Sequence, residues 1–298
     1  GIDAVDEAGD TAYLKVVASN LDVSNSDGDV LLATQSKTYF NGRPELNPLL
    51  LGAVSVKNGD LAIVNTGALQ FDKAVDVKGN INLDSSSQVT INDLFKAKNN
   101  IEVVVGAGTF VFDADGLALA STGKIESTSG NINLAVNDLI QLVGEVKALN
   151  GDINVTSDTN AVAITHIDAG SHKAIIRAGR NIEALPTKEE HIVANSVELY
   201  VGAGGTVGTF AKPIELSTTE TKFDANKAFM TGNVGLVINA GLGSFLDPGV
   251  AVSSANKGQN TSAQEFSFVD ATVFSQELNL FDVVNEGIRL PVDQLEDE

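Results

Sequence analysis

The sequence has no cysteine and no tryptophan, and only six prolines, three tyrosines and one methionine in 298 residues. Without cysteine there are no disulfides, no thiolate nucleophile and no thiolate-bound zinc. No run of 18 apolar residues occurs, so nothing in the chain is expected to cross a membrane as a helix. Basic residues are also few: Lys and Arg number 19 against 39 Asp and Glu, for a net charge of -20. Such a surface repels phosphates and anionic lipid, so neither nucleic acid nor membrane insertion is expected. The amino-terminal stretch "GIDAVDEAGD" has neither a basic n-region nor an apolar h-region. It reads as a processed end, or as part of a longer precursor.

What the chain does contain is aliphatic and turn-rich. The hydrophobic fraction is 43% with only 5% aromatics, and Gly numbers 28. That mixture suits many short β-branched strands joined by Gly and Asn/Asp turns. The turns recur at a fixed interval. Gly59-Asp60-Leu61-Ala62-Ile63, Gly79-Asn80-Ile81-Asn82-Leu83, Asn99-Asn100-Ile101-Glu102-Val103, Gly130-Asn131-Ile132-Asn133-Leu134 and Gly151-Asp152-Ile153-Asn154-Val155 follow one another. Four of the five begin with glycine, and the steps between them are 20, 20, 31 and 21 residues. Gly28-Asp29-Val30 is an earlier member and Arg180-Asn181-Ile182-Glu183 a degenerate later one. The long step contains "GKIEST" at 123–128, as expected of one coil carrying an insertion.

Alternation puts Ile81 and Leu83 on one face of a strand and Asn82 on the other. Further apolar runs follow at 88–95, 138–143 and 161–167. Two or three strands per unit of about 20 residues is the arithmetic of a parallel β-helix. The expected fold is all-β, a right-handed parallel β-helix over 1–205 with a β-rich C-terminal module over 206–298. Asn82, Asn133 and Asn154 should form an outward polar row, with Ile81, Ile132 and Ile153 stacked inside. Helical signal is confined to "TKEEHIVANSVELY" at 187–200, which could hold one turn. After 205 the pattern fades and phenylalanine concentrates, including Phe210, Phe223 and Phe229. Such a module suits the closing of an open solenoid end, or a bridge between subunits.

Chemistry is sparse. His166, His172 and His191 have no mutual spacing of a metal pair. "SNSDGDV" (24–30) and "FDADGLA" (112–118) resemble calcium loops, but Val23 and Val111 stand where the first Asp ligand belongs. Weak, non-specific calcium binding is the most they imply. Asp113 and Asp115 are two apart, as a turn explains. "GAGGTVG" (202–208) lacks the βαβ context of a dinucleotide loop. No catalytic, cofactor-binding or metal residue is therefore assigned, and no enzyme activity is expected.

The recurrent G-[ND]-I-[NT]-[LV] units resemble the shafts of large bacterial exoproteins of the filamentous haemagglutinin type, which leave by two-partner secretion. The tail Gly287-Ile288-Arg289-Leu290-Pro291-Val292-Asp293-Gln294, after a Phe-rich stretch, is similar to the closing segment of many of them. The resemblance covers about 28–185 and 264–298, and no amino-terminal secretion domain is recognisable. It implies the C-terminal portion of a longer secreted or cell-surface precursor, or a shortened relative, without catalytic residues. On this reading the chain is an adhesive, matrix or filament rod that joins end to end or binds surface components or carbohydrate. The alternatives are a polysaccharide lyase or hydrolase on the same fold, and a phage fibre or spike.

Overall fold

A computed structural model describes residues 4–5, 11–12, 14–36, 48–106, 116–234 and 238–240. It is a parallel β-solenoid of about nine turns, roughly 21 residues per turn, with no helix among the described residues. An 11-stranded sheet and a 16-stranded sheet run along its length, and every pairing between successive coils is parallel. One antiparallel pair, Ala4–Val5 with Thr11–Ala12, precedes the shaft.

Each coil carries up to three short strands. In one coil these are Ile81–Ser85 in the first sheet, then Val89–Ile91 and Leu94–Ala97 in the second. Elsewhere the last two fuse into one long strand, as in Leu49–Asn58 and Ile140–Ala148. The pentapeptides enter the first sheet in register: Leu61, Ile81, Ile101, Ile132 and Ile153 pair in succession. All five are at most 1% exposed, and burying each such side chain contributes about 1.5–3 kcal/mol. The same pairings put Asn82, Glu102, Asn133 and Asn154 in one outward row. The second sheet stacks Phe71 and Phe95 edge-to-face inside, with ring centroids 5.0 Å apart.

The long steps are coils with insertions. Ile101–Val105 pairs directly with Ile132–Val136, so the extra residues fall between Val105 and Leu117. Val30–Ser36 likewise pairs directly with Leu61–Thr66, across residues 37–47.

Three expectations change. Arg180-Asn181-Ile182 is not a first-sheet corner, because Ile182 pairs with Val162 in the second sheet. The true successor of Ile153 is Ala174, which the sequence hides because all corners of a coil select similar turn residues. The stretch 187–200 holds no helical turn; it forms strands Ile192–Val193 and Ser196–Val201, since each can pair with the coil below. Parallel stacking also does not stop at 205. Ile214–Thr218, Glu220–Asp224 and Met230–Val234 keep the ladder going, and Phe223 stacks on Leu199. Residues 241–298, with the tail resemblance and most of the Phe-rich stretch, lie outside the described residues.

Candidate functional site

The second residue of the pentapeptide builds the first polar feature. Asp29 Oδ1 accepts from Asp60 N at 2.8 Å, and Asp60 Oδ1 from Asn80 N at 2.7 Å. Asn80 Oδ1 then accepts from Asn100 N at 3.1 Å, and Asn100 Oδ1 from Asn131 N at 2.8 Å. Asn131 Oδ1 accepts from Asp152 N, and Asp152 Oδ1 from Lys173 N, both at 2.9 Å. An Asx side chain in a turn ordinarily bonds its own neighbouring backbone; here it binds the corner of the next coil. Successive Asx corners form one hydrogen-bonded line along the rod, and the line identifies Lys173 as the missed seventh corner. The first calcium-like motif bears on such a corner: Asp27 accepts from Asn58 Nδ2 and Asp29 from Asp60 N. Of the second motif, Asp113 and Asp115 lie outside the described residues.

Inside the shaft, at the far end of the first-sheet strands, a short polar column replaces the aliphatic one. Thr34 donates to Asn65 Oδ1 at 2.8 Å, and Asn65 Nδ2 donates to Gly67 O at 2.6 Å and Ser85 Oγ at 3.2 Å. All three side chains are buried and mutually satisfied, as burial of polar groups requires.

The outer face of the second sheet carries an ion-pair ladder. Lys96 meets Glu126 at 2.5 Å, Lys124 meets Glu126 at 2.9 Å and Glu145 at 3.2 Å, and Lys147 meets Glu145 at 3.9 Å and Asp168 at 2.5 Å. Alternation within strands and parallel register between them set opposite charges side by side. The Lys96 bond holds the Glu126 carboxyl below its ordinary range, against the effect of burial. For Lys124, burial works downward but is outweighed by bonds to Glu126 and Glu145, so its ammonium is held above its ordinary value. Lys147 is held up chiefly by Asp168.

Glu145, His166 and Asp168 lie at one end of this ladder with ligand atoms within 4.8 Å of one another. Sequence spacing missed the group, because its members come from two coils. The ammonium of Lys147 already bonds both carboxylates there, supplying the positive charge that a metal ion would bring. His166 faces outward, with Nδ1 2.6 Å from Glu190 O. His191 is buried with both ring nitrogens engaged: Glu215 N donates to Nδ1, leaving Nε2 to donate to Leu185 O. His172 lies in a turn, its N–H bonded to Ala169 O.

A second cluster sits on the first sheet. Glu198 is 8% exposed and meets Lys173 at 3.1 Å and Lys222 at 3.6 Å, while Tyr200 donates to its Oε2 at 3.0 Å. Burial pushes the Glu198 carboxyl up, but these partners outweigh it and hold it low. Burial and the Glu198 bond raise the Tyr200 phenol, and Arg177 lies over the Tyr200 ring at 5.0 Å.

A comparison with protein-family models, curated proteins and solved structures gives no match.

Proposed function

We propose that this chain is a structural, non-enzymatic rod, the shaft of a secreted or cell-surface adhesive or filamentous assembly. The observation that carries this is the unbroken parallel ladder from Leu14 to Ala240, whose corners and flanks are committed to bonds between coils. A glycoside-cleaving site needs a carboxyl held protonated by its surroundings beside an ionised one. Glu126 and Glu198 are shifted the other way by lysine partners. Stacked strands about 4.8 Å apart make nine turns roughly 40 Å long, a stiff spacer that on this reading joins its neighbours by strand addition.

Negative-stain electron microscopy of the native material, beside incubation with a panel of acidic and neutral polysaccharides, tests this. Rods or end-joined strings with every polysaccharide left intact are expected. A compact trimer, or cleavage of any polysaccharide, overturns the proposal.

A further inference from the structure

We infer that the outer face of the first sheet is a self-association surface, on which a second copy packs face to face with its long axis reversed. The middle of this face is nearly uncharged in a chain of net charge -20. Six consecutive strands, from Val30–Ser36 to Ile153–Ser157, present only two charged side chains outward, Asp84 and Glu102. Val64 and Val104 stand 43% and 36% exposed on it. The ladder on the second sheet and the Glu198 cluster are paired with lysines, and Asp84, Glu102 and Arg177 make no ion pair among the described residues.

The placement of these charges selects the partner. Asp84, Val104, Ala135, Thr156 and Arg177 follow one another in a single outward row. Ala135 belongs to Ile132–Val136, the sixth and central strand of eleven. A twofold axis along that strand reverses the rod, keeps the row opposite itself and superposes positions equally distant from Ala135. Arg177 of one copy then meets Asp84 of the other, twice. Thr156 meets Val104, and one strand further out Tyr200 meets Val64. Ala135 faces its own copy at the centre, where a small side chain lets the sheets close. The surface is self-complementary, as a twofold interface must be.

The seven strands from Leu61–Thr66 to Ser196–Val201, spaced about 4.8 Å and some five residues long, present roughly 500 Å² per copy. The total of about 1,000 Å² stands at the size a specific interface should clear. The inference concerns the flank of the rod. It goes beyond the shaft proposal, whose own test reads rod shape and polysaccharide cleavage.

Because the chain has no cysteine, Ala135→Cys places one thiol at the axis, and Gln141→Cys places one on the second sheet as control. Light scattering should give twice the 31.0 kDa chain mass. A short bismaleimide should link Ala135→Cys copies at least about tenfold faster than Gln141→Cys copies, since only the former lie close across a dimer. Asp84→Arg and Arg177→Asp should each weaken the dimer about tenfold or more, and the double swap should restore it. Far-UV circular dichroism on each variant confirms folding. A monomer at about 100 μM, equal linking rates, or a double swap as weak as the single ones overturns the inference.

Discussion

At the scale of single residues, the repeated glycine and its neighbour do different jobs. Gly79, Gly130 and Gly151 do not need a left-handed backbone, since the positive-φ glycines are Gly28, Gly59, Gly67, Gly170, Gly204, Gly208 and Gly232. They are needed because coils touch there. A Cβ on Gly151 would stand 2.2 Å from Gly130 O and 2.5 Å from Gly130 C, both backbone atoms that cannot swing aside. Gly151→Ala is therefore expected to destabilise by about 1–3 kcal/mol, the usual range for overpacking. Gly106→Ala, whose added carbon meets nothing nearer than Ser85 O at 3.7 Å, should stay within about 0.5 kcal/mol. Urea melts of the two variants decide it; equal midpoints would refute steric contact as the reason for glycine at the corner. The adjacent Asn or Asp was legible in sequence as a turn residue, but its partner was not. Asn131 and Asp152 are 21 positions apart, and only stacking brings them together.

At the scale of strands and sheets, alternation made the fold legible. Ile81, Leu83 and Ser85 point inward while Asn82 and Asp84 point outward, as period two requires. What alternation cannot give is which corner a motif belongs to: Asn181-Ile182 reads as the seventh corner, but Lys173 occupies it. Nor could it show the ion-pair ladder, because Lys96 and Glu126 are 30 positions apart and separated by an insertion. That ladder and the Glu198 cluster share a pH signature. Glu126 and Glu198 are depressed in the folded state, so their contribution is complete above the ordinary value of 4.5 and is lost as pH falls through the folded values. Lys124 and Lys147 are raised, so theirs is complete below 10.5 and lost as pH rises through the folded values. A stability plateau between these limits is expected, with an acid limb that Glu126→Gln shallows. Thermal melts from about pH 3 to 7 measure it, and an acid limb of unchanged slope in Glu126→Gln would remove the ladder as its cause.

At the scale of the whole molecule, the solenoid has no central core that every residue shares. Each coil touches only the coils above and below, so stability sums over neighbours and the ends should open before the middle. The gradient is already visible in burial. Strand Leu14–Ala18 alternates half-buried and exposed, whereas Ile81–Ser85 alternates fully buried and exposed. The neighbouring pair Asn20–Asp27 and Leu49–Asn58 is further weakened by repeated register shifts. In the middle, by contrast, Ile101, Ile132 and Ile153 are at 0% exposure, and the corner line of Asn100, Asn131 and Asp152 is continuous. Hydrogen exchange read by mass spectrometry should therefore show peptides covering 81–85, 101–105, 132–136 and 153–157 as the slowest, with 14–27 exchanging first. Because the outward face of those same middle strands forms the inferred contact, Arg177→Asp should leave this order intact. A single exchange rate common to all coils would mean that the rod unfolds as one unit. Stability would then reside in couplings beyond nearest neighbours, contrary to the layered packing of the shaft.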